Sequence, residues 1–340
     1  MVYIHVPFCR SFCTYCDFYS EIVCKGRDNG AFESYTSCLL EEISRRKEEI
    51  AGTSSIPTIY IGGGTPSVLP LSFFRRVVDA LGSVACGDSG KISEFTVEVN
   101  PDDIARNGES YVRGLVELGV NRISMGVQSL DDGVLGWMNR RHDAATAEKA
   151  FSILRKCGVP NISVDIIFGL SILGDSALED TIDRILALRP EHLSAYQLSI
   201  EEGSALARMI DEGKYVEADE ESCRRQYELI CRKLSGAGYH HYEISNWAVP
   251  GFEAVHNSAY WTRAPYVGLG PAAHSLRGRD LRSWNSDRLS GWTSSFERLS
   301  EKEIEEERIM LGLRTDRGVD GFRIEEKDFF IADSIIAEHL

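Results

Sequence analysis

The sequence predicts an α/β protein, a partial TIM-like (β/α)6 barrel left open on one side, with a smaller α+β appendage. Three observations carry that expectation. Up to about residue 200, short β-rich runs alternate with helical patterns. Chemically active side chains gather where those runs end, and three cysteines crowd the end of the first one. Beyond residue 200 the strict alternation fades, so residues 1–200 are read as the barrel and 201–340 as the appendage. A closed eight-unit barrel needs two more repeats than the chain supplies.

Strands are expected at 2–6, 58–61, 94–99, 122–127, 162–168 and 192–199, with helices near 32–50, 72–82, 108–118, 144–157 and 176–188. Asn107 is placed to cap the third helix, whose Tyr111, Leu115 and Leu118 share a face before Gly119 ends it. Asp143 and Gly158 bracket the next helix, with Phe151 and Leu154 inside. Each strand reads as a near-continuous apolar run, which suits parallel strands buried on both faces. In the appendage, 219–236 reads as an amphipathic helix with Tyr227, Ile230 and Leu234 inward. Residues 239–248 and 266–274 read as extended segments, and 297–313 as a charged helix. The appendage is expected to pack on the open side of the barrel, over its chemical end.

Composition narrows the function classes. A net charge of −15 argues against a nucleic-acid partner, whose binders carry a basic stripe. No basic cluster followed by an apolar stretch opens the sequence, and no apolar run approaches the length of a membrane span, so a soluble, cytoplasmic protein is expected. Nine cysteines, an odd and scattered set, do not form a disulfide framework. Cys24, Cys38, Cys86, Cys157, Cys223 and Cys231 are expected to be reduced, with Cys24 a remote alternative as a fourth thiolate.

The chemistry starts at V-P-F-C-R-S-F-C-T-Y-C-D-F, where Cys9, Cys13 and Cys16 offer three thiolates. A structural zinc site takes four protein ligands, and all-cysteine ligation of a four-iron cluster also takes four. Three thiolates leave one iron free for a ligand that is not protein; a zinc site completed by a distant histidine is the other reading. In parallel β/α architecture a ligand site forms at the carboxyl ends of the strands. Those ends carry Gly62-Gly63-Gly64-Thr65, then Glu98 and Asn100, Gln128 and Ser129, Asp165, and Gln197 and Ser199. A buried carboxylate needs a partner, so Glu98 and Asp165 point to a ligand site when taken with the others. The glycine triplet lacks a Walker lysine and suits close backbone approach by an amino-acid moiety.

In order, V-Y-I-H-V-P-F-C, I-G-G-G-T-P-S, V-E-V-N-P, N-R-I-S-M-G-V-Q-S and V-D-I-I-F-G-L resemble the HemN/HemW branch of the radical S-adenosylmethionine (SAM) superfamily. The resemblance implies a [4Fe-4S] cluster on Cys9, Cys13 and Cys16. It also implies SAM contacts from Tyr3, Tyr15, Gly63, Gly64, Thr65, Glu98, Gln128, Arg140, Asp165 and Ser199. Arg140 would pair with the SAM carboxylate, with Arg141 an equal claimant, and Asp165 and Gln128 suit ribose hydroxyls. Two sub-families share the scaffold. The coproporphyrinogen dehydrogenase type has a further cysteine where this chain has Phe18, and a longer arm ahead of the first strand. Both differences favour the heme-chaperone type, as do H-Y-E-I-S-N-W-A and Y-V-G-L-G-P-A-A-H-S. In H-N-S-A-Y-W, the element associated with heme in that group, His256 is the candidate axial ligand, with Asn257, Tyr260 and Trp261 beside it. A packed corner joining barrel and appendage is the other reading of His256. Ser171 and Glu202 replace prolines usual in the family, and the helical module usual near the carboxyl terminus is shortened here. The leading expectation is a protein that binds heme and passes it to an acceptor protein while carrying a SAM-coordinating cluster. The alternative is an oxygen-independent coproporphyrinogen III dehydrogenase. Homodimerisation is left open, and no stable membrane anchor is expected.

Overall fold

The computed structural model describes residues 1–23, 28–53, 55–202 and 204–340; Cys24 lies outside them. Six parallel strands stand where the sequence places them, within about two residues at each end. They are β1 (Val2–Val6), β2 (Thr58–Gly63), β3 (Glu94–Val99), β4 (Arg122–Gln128), β5 (Asn161–Phe168) and β6 (His192–Gln197). Helices α1 (Asp28–Arg45), α2 (Lys47–Gly52), α3 (Leu71–Leu81), α4 (Pro101–Glu117), α5 (Asp132–Trp137), α6 (Ala144–Lys156) and α7 (Asp175–Leu188) fall between them. The appendage supplies α8 (Ala205–Asp211), α9 (Glu220–Gly236), β7 (His240–Glu243), β8 (Asn246–Ala248), α10 (Val255–Trp261) and β9 (Val267–Leu269). After these come a three-stranded antiparallel sheet (β10, His274–Arg277; β11, Leu281–Asn285; β12, Ser294–Arg298), α11 (Glu301–Leu313) and α12 (Ala332–Ala337).

Among the described residues, nine strands make one open sheet in the order β9-β1-β2-β3-β4-β5-β6-β8-β7. The barrel is therefore partial, as expected. The appendage, however, extends the sheet instead of only covering it. Strand β9 pairs parallel with β1 at one edge, and β8 pairs antiparallel with β6 at the other. No helix of the described residues is long and apolar enough to cross a membrane.

Register explains why this sheet holds a site. Cross-strand neighbours share a face. One face carries rows such as Ile61–Val97–Ile123–Ile162 and Ile166–Ala195, which are buried in the apolar core. Phe73, Phe74 and Val77 of α3 and Phe151 and Leu154 of α6 belong to that core. Burying each such side chain is worth about 1.5–3 kcal/mol. The opposite face carries Tyr60–Thr96–Arg122, Glu98–Ser124–Ser163–His192 and Gly126–Asp165–Ser194. The strands are thus buried on both faces, as expected, but apolar on only one. Polar side chains alternate inside runs that look continuous because Ile, Val and Met stand between them.

Two local details differ from expectation. Helix α4 starts at Pro101, where the Asn100 side chain accepts a hydrogen bond from the Asp102 backbone N–H at 3.0 Å. Gly108, with φ 70° and ψ −168°, is not helical and divides α4 into two helices, the second starting where the sequence expects a helix, just after Asn107. The Asn-Pro pair starts the first, additional segment, with proline tolerated at the first helical position. The charged helix α11 begins only at Glu301, behind a capping box of Ser300 and Glu303; residues before it form β12. Asp143 caps α6 as expected, and Asp219 caps α9.

Candidate functional site

Directly after β1 the chain forms the cysteine loop, and neighbouring elements fix it. Phe8–Cys9 pairs with Glu21–Ile22, and the Gly64 and Thr65 N–H groups donate to the Val6 and Phe8 carbonyls at 2.8 and 2.7 Å. The turn after α5 braces the far side. Thr14 Oγ1 donates to the Trp137 carbonyl at 2.8 Å, and Asn139 Nδ2 donates to the Phe12 carbonyl at 2.6 Å. His5 reaches across from β1, its Nε2 bonded to the Tyr19 carbonyl at 3.0 Å. The backbone at Gly63 and Gly64 must be bare for this packing. A Cβ on Gly64 would meet the Phe8 carbonyl oxygen at 2.7 Å, and one on Gly63 would meet the His5 ring at 2.6 Å. The triplet thus serves first to seat the chain's own cysteine loop.

The loop closes one side of a cavity of about 430 Å³ at the carboxyl ends of the strands. Cys9, Cys13 and Cys16 line it, together with Tyr15, Gly63, Gly64, Thr65, Glu98, Gln128, Arg140, Asp165, Ser199 and Asn257. Among the described residues, no histidine lines it. Burial raises the Cys9 thiol and pushes Cys16 up to about 11, so these sulfurs need a cation before they become thiolates. The Arg140 guanidinium lies against them, 3.4 Å from Cys13 Sγ and 3.4 Å from the Tyr15 hydroxyl, while donating to the Gly126 carbonyl at 2.6 Å. Arg141 is instead held by Asp102 and Asp103 at 2.6 and 2.9 Å. The geometry thus separates two residues that sequence left equal.

Two carboxyls face the thiols. Glu98 accepts from the Tyr60 hydroxyl at 2.7 Å and from Gly63 N–H at 3.0 Å. Burial still pushes it up to about 7, with the nearby Asp165 carboxylate adding to the effect. Asp165 accepts from Ser124 Oγ at 3.0 Å and Ser163 Oγ at 3.3 Å, and burial raises it as well. Three thiols able to bind iron, a buried guanidinium, two carboxyls and the exposed backbone of two glycines form a donor set that fits a multi-iron cluster beside a small zwitterionic ligand.

Several expected contacts fall elsewhere. Tyr3 does not line the cavity; it lies deeper on β1, with its hydroxyl 3.1 Å from His5 Nδ1. His256 is fully buried, with Nδ1 2.7 Å from Thr58 Oγ1 and Nε2 2.9 Å from the Tyr260 hydroxyl. Its backbone N–H donates to Glu94 at 3.1 Å. It thus has the packed-corner geometry and offers no free nitrogen to an iron. Trp261 lies under the Arg314 guanidinium, 5.5 Å from its ring centre. Of the four heme-element residues, only Asn257 reaches the cavity. Tyr60, Arg122, Ser124, Ser194 and Tyr196 line it as well, beyond the residues the sequence motifs point to. Their signal was the two-residue alternation within T-I-Y-I, R-I-S-M-G-V-Q and H-L-S-A-Y-Q. Arg122 is the least expected, 2% exposed with Nε and one terminal nitrogen lacking a hydrogen-bond partner. Burial works against its charge, but Glu94 and, more weakly, Asp165 keep it charged.

Comparison with known proteins follows this geometry. The radical SAM superfamily matches residues 3–185. A heme chaperone HemW from Bacillus subtilis is 34% identical over 96% of this chain and 86% of its own length. One from Lactococcus lactis is 32% identical over 93% of this chain and 82% of its own. Among solved structures, the coproporphyrinogen III oxidase HemN of Escherichia coli superposes with a TM-score of 0.78 at 20% identity, covering 99% of this chain and 80% of that one. That likeness concerns the fold.

Proposed function

We propose a heme-handling function for this chain, which belongs to the radical SAM superfamily and, within it, to the HemW family. In this reading it binds heme and delivers it to an acceptor protein, and it keeps a [4Fe-4S] cluster and SAM in the cysteine cavity. One observation carries the cofactor half. The three thiols, Arg140, Glu98 and Asp165 all face a single cavity at the carboxyl ends of the strands. Cys9, Cys13 and Cys16 would hold the cluster, which when bound supplies an iron with an open position and an electron.

The chain's own residues then do the rest. Arg140, fixed on the Gly126 carbonyl beside Cys13, suits the SAM carboxylate as a charge-assisted donor. Glu98 suits the ammonium group, and that pairing would draw its proton off near neutral pH. Asp165 and Gln128 suit ribose hydroxyls, with Tyr15, Gly63, Gly64, Thr65 and Ser199 forming the wall. Tyr3 acts through His5, which positions the cysteine loop.

The heme half rests on family membership. His256 enters it only if its bonds to Thr58 and Tyr260 give way, so heme ligation there requires α10 to move from its present seat. Asn257 is the one residue of that element already open to the cavity. The experiment is anaerobic cluster reconstitution followed by heme titration and a coproporphyrinogen turnover assay on the same preparation. Stoichiometric heme without steady turnover is expected. Steady oxidative decarboxylation with no heme uptake would replace this reading with the dehydrogenase one.

A further inference from the structure

A second convergence of ligand atoms lies in the appendage, beside a cavity lined by two of the three residues, Cys231 and Glu326, that shares no lining residue with the cysteine site. Cys231 on α9, His241 on β7 and Glu326 at the head of the 3-10 turn Glu326–Ile331 each contribute one atom. Those three atoms lie within 4.8 Å of one another. We propose that this triad binds a divalent transition-metal ion of the zinc class, with a thiolate, an imidazole and a carboxylate as ligands and water in the fourth position.

The imidazole is already oriented for the task. His241 is buried, stacked on Trp247 with ring centres 4.0 Å apart and 18° between planes, and met edge-on by Phe329 at 4.9 Å. Its Nε2 faces the Ile244 carbonyl at 3.3 Å. The Tyr227 hydroxyl also lies 3.4 Å from Nε2, and Nδ1 lies 3.1 Å from Glu326 Oε1; with the proton on Nε2, the Nδ1 lone pair points at Glu326. In that tautomer both atoms are acceptors, a contact that a proton on Nδ1 or a metal cation in its place satisfies. A carbonyl behind the far nitrogen is also the usual support of a metal-bound histidine.

The other two ligands complete a three-plus-water set. Cys231 is half-buried, and burial pushes its thiol up to about 12; metal binding would replace the sulfur-bound proton with a metal–sulfur bond and release that proton to solvent. Glu326 is exposed at the mouth of a cavity of about 310 Å³ lined also by Tyr227, Ser235 and Phe330, which leaves room for water on the open side. Sulfur with imidazole selects zinc-like ions over calcium or magnesium. Because the ligands come from α9, β7 and the 326–331 turn, a bound ion would clasp that turn to the helix and the hairpin.

Anaerobic cobalt(II) titration of the full chain with Cys9, Cys13 and Cys16 changed to serine reads this site without the cluster thiols. One equivalent should give tetrahedral visible bands and a thiolate charge-transfer band, both displaced by zinc. Adding Cys231→Ser should abolish the charge-transfer band. Glu326→Gln should weaken binding by more than the roughly tenfold cost of losing an outer-shell partner. Absence of the bands in a folded chain, or their persistence with Cys231→Ser, overturns the proposal. Should the triple-serine chain not fold, zinc content of the wild type against Glu326→Gln decides: one ion fewer in the variant supports the site, and equal contents overturn it.

Discussion

The two ends of one polar sheet face make opposite use of similar residues. At the amino ends of the strands, Thr58, Glu94, Ser163 and His192 are closed on one another and on the appendage. Thr58 bonds His256, Glu94 accepts from the Val255 and His256 N–H groups, and His192 joins Ser163 to Tyr242 at 2.8 and 2.7 Å. At the carboxyl ends, three thiols, Glu98, Asp165 and Arg140 surround a cavity and keep capacity for further bonds. A fully satisfied polar network fixes structure, and a partly satisfied one facing open space is where a ligand gains most. Histidine at the closed end is therefore a different object from cysteine at the open end, although both look like metal ligands in a sequence.

Four changes would break or sharpen that contrast. Cys13→Ser should have the largest effect, eliminating cluster absorbance and iron retention while leaving far-ultraviolet circular dichroism intact; a retained four-iron signal would remove Cys13 from the ligand set. Arg122→Met should follow, because it removes the buried cation that Glu94 and, more weakly, Asp165 keep charged. Loss of one partner from a buried charge group costs about 3–5 kcal/mol, measurable by denaturant unfolding. A change under 1 kcal/mol would mean that Arg122 carries no such burden.

Tyr260→Phe tests the closed end more gently. It removes the hydroxyl from His256 Nε2, and one unsatisfied buried group costs about 1–3 kcal/mol. If His256 is a latent heme ligand, the same variant should bind heme more tightly; unchanged affinity would separate His256 from heme. The smallest effect is the pH response of Glu98. Its carboxyl is held near 7 against an ordinary 4.5, so the folded state binds that proton more tightly than the unfolded state does. The stabilisation is complete below about 4.5, and it fades as pH rises through about 7. Glu98→Gln should flatten that limb of the ligand-free stability curve. It should also remove the loss of SAM affinity expected as pH falls below 7, which calorimetry would register.

Much of this was legible in the chain. Strand–helix alternation located all six barrel strands, and the position of Glu98, Gln128 and Asp165 at strand ends gathered the site, because parallel topology brings those ends together whatever lies between. What escaped depends on partners distant in sequence. Thr58 and His256 are 198 residues apart, and nothing local announces their bond. The N-R-I-S-M run hid Arg122 because an apolar neighbour at every second position makes a strand that is apolar on one face look apolar on both. Arg140 and Arg141 could be told apart only once Asp102 and Asp103 were seen to occupy one of them. The segment of α4 ahead of Gly108 goes unread for the opposite reason: its Asn100-Pro101 start signal is local but sits at the end of the preceding strand.

Pairing of Val2 with Val267 also has a consequence for biogenesis. Strand β1 is made long before β9, so its outer edge stays unpaired until residues 267–269 have been synthesised. Contacts of such long separation form slowly, and an exposed edge invites pairing with other chains. Any ligand of the loop that β1 positions is therefore best taken up once β9 has sealed that border.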